Sequence, residues 1–221
     1  MEPPPNRSVV TRRAVWLIVI AALVVGAYRW CVIDWLLLAD KRAFNAMKNR
    51  TSLPGAVALE GGATLEALVA PGDDRHRWSQ DRAAIIEGFV IRVHDAGPES
   101  ANCFSLRRVD THIEIATRID APPRERLVVE VTPPMREWAT RHAMDWTTPT
   151  LQRTLTGQHV RIGGWLLFDD EHDEESETTH PGSAGNWRAT AWEIHPVTSI
   201  EVLHEAARLR LPRVIHFGPS R

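Results

Sequence analysis

Hydrophobic and polar positions divide this chain into two regimes. The first is an apolar run from Ala14 to Ala27, interrupted by Tyr28-Arg29-Trp30 and resumed from Cys31 to Ala39 with Asp34 inside it. The second begins at Ala83, where apolar and polar residues start to alternate with the period of two that marks β-strands. Ile85, Glu87, Phe89, Ile91 and Val93 alternate with Ile86, Gly88, Val90 and Arg92, and Val109 to Thr117 sets Ile113 and Ile115 against Asp110, His112 and Glu114. Leu127 to Val131, Val160 to Phe168 and Arg188 to Leu203 supply three more strand-like runs. In the last of these, Trp192, Ile194 and Ile200 take one face while Glu193 and His195 take the other. Between the third and fourth runs, Pro133-Pro134 opens a helical stretch from Met135 to Trp146, proline being tolerated in a first helical turn.

Three strands, a helix and two strands is the order of an all-β, five-stranded OB-like Greek-key barrel with one helix. A β-sandwich would need more strands than this length holds. The chain accordingly divides into an N-terminal tail (1–13), an apolar segment (14–39), a connector (40–82), the barrel domain (83–203) and a C-terminal tail (204–221). The connector carries the turn signals Gly61-Gly62 and Pro71-Gly72-Asp73-Asp74.

A helix needs about 20 apolar residues to cross a bilayer core. Ala14 to Ile33 has that length, with Tyr28 and Trp30 as interfacial anchors and Arg29 placed to snorkel. The segment 14–39 therefore reads as an uncleaved transmembrane signal anchor. Val25-Gly26-Ala27 offers an alternative, cleavage by signal peptidase after Ala27, and Thr11-Arg12-Arg13 carries a single twin-arginine dipeptide. Basic residues flank the span on both sides, but a short tail before it and a large domain after it favour a single-pass protein with an extracytoplasmic C-terminal domain.

The formal charge of −2 conceals an asymmetry: residues 1–78 hold ten Lys/Arg against seven Asp/Glu, and residues 79–221 hold sixteen against twenty-one. An acidic barrel has the wrong sign for tracking phosphates, which disfavours single-stranded nucleic-acid binding. Lysine occurs only at 41 and 48, which reads as coding bias toward arginine. Cys31 lies in the apolar segment and Cys103 in a loop, so no disulfide is expected between them, and two cysteines form no zinc motif.

Four groups could carry chemistry: Asp110-Thr111-His112; Glu130, alone among valines; Phe168-Asp169-Asp170-Glu171-His172; and Glu193 with His195. Residues i and i+2 share a strand face with Cα atoms about 6.5–7 Å apart, so Asp110/His112 and Glu193/His195 can each aim an acid and an imidazole at one point. Carboxylate and imidazole suit zinc or a related divalent ion. The competing reading is a structural latch in which these groups pair with one another, and it is the default. The acidic stretch from Asp169 to His180 reads as a solvated hairpin loop, because it lacks the glycine and terminal glutamate of an EF-hand. No motif names a reaction.

Asp110-x-His112-Ile113, Val-Val-Glu130-Val-Thr-Pro133, Gly-x-x-Val160 through Gly-Trp165-Leu-Leu-Phe168-Asp169, and Trp192-Glu193-Ile194-His195-Pro196-Val197 together resemble a set of small bacterial exported OB-like domain proteins. That set carries Asp-x-His, Phe-Asp-x-x-His and Glu-Ile-His-Pro-Val segments. The resemblance covers residues 83–203, implies an OB-like domain, and assigns no activity. It also implies that Asp110, His112, His172, Glu193 and His195 form one constellation, although the long acidic loop here separates His172 from the pattern. The resulting expectation is a membrane-anchored extracytoplasmic binding or interaction module for a protein or small ligand, with no cofactor required. The alternative is a metal-dependent hydrolase using the acid/histidine cluster.

Overall fold

The computed structural model describes residues 12–26, 39–72 and 75–204. Five strands, β1 (Ala83–Asp95), β2 (Thr111–Ala116), β3 (Leu127–Val131), β4 (His159–Phe168) and β5 (Trp192–Val202), close a barrel in the order β1-β2-β3-β5-β4. All neighbours are antiparallel except β3 and β5. Closure depends on the thirteen-residue β1, whose first half pairs with β4 and whose second half pairs with β2 across a register shift at Val90/Arg92. A strand shared in this way leaves no open edge for another chain to pair with.

The inward positions are those the alternation assigns: Ile113, Ile115, Val129, Val131, Trp192 and Ile194 are buried in one core cluster. Helices seal it. In α3 (Leu65–Leu68) Leu65 and Leu68 enter the core, and the Thr64 side chain caps the helix by accepting from the Ala67 N–H. Between β3 and β4 the single expected helix is instead two. The first, α4 (Pro133–Arg141), is capped by Thr132, with its prolines in the first turn where no N–H is needed. It ends at His142, and Ala143 adopts positive φ. The second, α5 (Thr148–Leu155), packs on β1 and buries Leu151 and Leu155, four residues apart on one face.

Residues 12–26 are helical (α1), and apolar side chains such as Val15, Trp16 and Leu17 are exposed along it. Among the described residues no helix is long and apolar enough to cross a membrane. The expected span 14–39 runs through residues 27–38, so its second half, both aromatic anchors, Ala27 and Cys31 lie outside the described residues, as does most of the C-terminal tail. A further helix, α2 (Ala39–Lys48), lies against the β1–β2 loop.

One expectation is overturned. Cys103 is disulfide-bonded. Reading the two cysteines as unpaired set Cys31 in the apolar segment apart from the loop of Cys103, whereas the chain just after that segment packs on this loop: Asn49 Nδ2 donates to the Ala101 carbonyl at 3.2 Å.

Candidate metal centre

Strand register builds the centre. His112 on β2 lies opposite Glu130 on β3 and opposite His94 on β1. Residues facing each other across adjacent strands have Cβ atoms about 4.5–5.5 Å apart. On the parallel neighbour, Glu193 aligns with Val128, which sets His195 beside Glu130 two residues further along. His94, His112, Glu130 and His195 thus form one polar rung across four strands on the outer barrel face. Asp110, two residues before His112, shares that face.

This face lies on the outside of the barrel, where strand alternation alone would leave it open to solvent. Instead Asp110, Glu130, Glu193 and His195 are at most 1 % exposed, and His112 is 9 % exposed. The β1–β2 loop with Ser100–Asn102 and the β4–β5 loop fold over it. Glu99 comes from the first loop, and Lys48 of α2 meets it at 2.7 Å with its side chain 2 % exposed. From the second loop come Asp169, His172 and Arg188. The Arg188 guanidinium lies 2.7 Å from Glu193 Oε1 and 3.4 Å from Asp169 Oδ2, and its Nε donates to the Thr190 carbonyl at 2.8 Å. Trp187 covers the edge, stacked near His112 and edge-on to His172.

At the centre, His195 Nδ1 hydrogen-bonds Glu193 Oε2 at 3.1 Å, and its Nε2 faces Asp110 Oδ2 at 3.5 Å. Asp110 Oδ1 accepts from Asn102 Nδ2 at 3.0 Å. Glu130 stands between the two histidines: Oε1 touches His112 Nε2, and Oε2 is 3.1 Å from His195 Nδ1. Proximity does not satisfy these atoms. His112 Nε2, Glu130 Oε2 and His195 Nε2 are buried without a hydrogen-bond partner, since closeness off the donor axis forms no bond. Buried polar atoms are nearly always paired, and these three belong to residues whose carboxylate and imidazole atoms lie close enough together to hold a metal ion.

Charge is concentrated here as well. Five buried carboxyl groups, Glu99, Asp110, Glu130, Asp169 and Glu193, share two permanent cations, Lys48 and Arg188. Burial, then repulsion from Glu193 and Glu99, raises the Glu130 pKa well above the usual carboxylate range. Burial also pushes the His112 pKa down to about 3, with Arg188 adding to the effect. Burial would raise Glu193 too, but Arg188 and the hydrogen bond from His195 hold it well below its ordinary value. Lys48 stays charged: burial opposes its protonation, and the surrounding carboxylates outweigh that. The His172 pKa is raised, chiefly by its 2.6 Å hydrogen bond to Asp169.

Of the five residues expected to converge, Asp110, His112 and His195 meet around Glu130. Glu193 orients His195 and pairs with Arg188. His172 is held by Asp169, at the rim. Asp169, expected in a solvated loop, is drawn fully inward. Sequence reasoning missed Glu99, Lys48 and Arg188. For Glu99 there was no signal. Lys48 had one, as a rare lysine in an arginine-rich chain.

The fold and this centre define a closed five-stranded barrel carrying a buried acid/histidine cluster on its outer face. Comparison with family models, with curated proteins and with solved structures found no match to this chain.

Proposed function

We propose that this chain is a membrane-tethered OB-type module that binds a divalent metal ion through Asp110, Glu130 and His195. The observation that carries the reading is the clustering of buried ligand atoms: these three residues offer ligand atoms within 4.8 Å of one another, and Glu130 Oε2 and His195 Nε2 have no hydrogen-bond partner. Their chemistry, two carboxylates and an imidazole, suits zinc or manganese. Glu193 accepting from His195 Nδ1 is the outer-shell carboxylate that orients a metal-binding histidine. Position supports it as well. OB barrels bind ligands over strands 2–3 between the β1–β2 and β4–β5 loops, and this centre lies there.

The tether rests on the apolar sequence 14–39 and on the exposed apolar side chains of α1, since a surface of that kind calls for a covering. The disulfide at Cys103 favours an oxidising compartment, hence an extracytoplasmic domain. Protease added to intact cells is expected to remove the barrel while leaving the N-terminal segment with the membrane; full protection of the barrel would reverse the assigned orientation.

Metal binding is read from the full chain in detergent. At a zinc concentration about 100-fold above Kd, binding adds roughly 2.7 kcal/mol, expected as a rise in Tm of about 5–10 °C. His195→Ala should abolish that rise. An unchanged Tm, with no metal retained after dialysis, would leave only the latch.

A further inference from the structure

Glu130 belongs to two ligand groups, not one. Glu99, His112 and Glu130 form the first, and Asp110, Glu130 and His195 the second; within each, the ligand atoms lie within 4.8 Å of one another. The two oxygens of Glu130 are divided between them, Oε1 against His112 and Oε2 toward His195. We infer that this is a two-ion centre bridged by the Glu130 carboxylate, with an inner divalent ion held by Asp110 and His195 and an outer one held by His112 and Glu99. The inference rests on the metal-binding reading above and extends it.

Two independent observations support the second ion. His112 Nε2, which touches Glu130 Oε1, is one of the buried atoms without an aligned hydrogen-bond partner. Glu99 engages Lys48 through Oε2 alone, leaving Oε1 for coordination.

The two positions differ in access. The inner ligands are fully buried. His112, by contrast, forms the wall between two clefts. One of ≈ 250 Å³ is bounded by Lys41, Glu99, Ser100 and His172, and the other of ≈ 440 Å³ by Arg92, His94, Arg126 and Trp187. An ion at His112 keeps coordination positions open toward these clefts, as exchange-competent sites do. A divalent ion there, with Lys41 lining the smaller cleft, suits an oxyanion of phosphate type. Paired ions about 3.5–4 Å apart are the usual clamp for such groups.

The test uses the full chain in detergent, loaded with zinc or manganese and dialysed. Elemental analysis should find two equivalents in the wild type and one in His112→Ala. Manganese EPR of the wild type should show exchange-coupled neighbours instead of isolated ions, a readout that depends on no variant. Inorganic phosphate should slow chelator removal of one equivalent in the wild type and of none in His112→Ala. A single equivalent with an isolated-ion spectrum overturns the two-ion centre and leaves the one-ion reading intact; no metal at all overturns both. Two equivalents retained in His112→Ala would remove that residue as the outer ligand. If phosphate has no effect on removal, the oxyanion assignment falls.

Discussion

Arg188→Met is expected to destabilise the barrel domain by about 3–5 kcal/mol, the usual cost of breaking a buried ion pair from one side. In Tm this is a fall of roughly 10 °C or more. The guanidinium is 1 % exposed and bridges Glu193 and Asp169, each at most 2 % exposed. Methionine fills much of the volume but leaves both carboxylates without their shared cation. The loss should depend on pH. Arg188 holds down the proton affinity of His172, whose folded pKa is nonetheless raised through Asp169. Without Arg188 that pKa rises further. A histidine whose folded pKa exceeds its unfolded value stabilises fully below the unfolded pKa, about 6.5, and loses that contribution as pH rises through the folded pKa. His172 can therefore partly replace the missing cation at pH 5.5 and not at pH 8. Urea denaturation at the two values should show the smaller deficit at the lower pH. An equal deficit would place the compensation elsewhere, and a deficit below about 1 kcal/mol would mean that the pair is solvated.

Gly164→Ala is expected to cost about 3 kcal/mol or more, because the added atom meets backbone that cannot move aside. A Cβ at this position collides with the Pro196 carbonyl oxygen, lies 2.6 Å from Ile194 Cγ2 and lies 3.0 Å from Val197 Cα. The β4–β5 register shifts on either side of Gly164, where β5 comes close at Pro196. Side chains 193 and 195 hang from the same stretch of β5, so the substitution should weaken the proposed metal binding along with stability. Gly185→Ala is the control: its Cβ meets only the Ser183 hydroxyl at 3.9 Å, and a change within about 0.5 kcal/mol is expected. If the two substitutions proved equally mild, close strand approach would not be what requires glycine at 164.

Strand identity was legible because it is local. Alternation in Ile113/Ile115 against Asp110/His112 encodes face selection residue by residue, and the same holds for Trp192/Ile194 against Glu193/His195. α5 was not legible, because its signal is only Leu151 and Leu155 four apart behind Pro149, too short to stand out from a loop. The candidate site was legible in its strand-borne members and illegible in Glu99, Lys48 and Arg188. Those three come from loops and a helix whose places are set by packing, which no spacing along the chain records.

From its sequence alone, then, this protein is a five-stranded barrel behind an apolar N-terminal segment, with an acid and a histidine exposed together on one face of β2 and again on β5. Tertiary structure decided what that face becomes. Two loops and α2 cover it, withdrawing five carboxyl groups from water among two cations. The physical reason is that periodicity determines which way a side chain points, whereas burial depends on what folds over it. Only burial turns adjacent acids and histidines into a candidate metal centre.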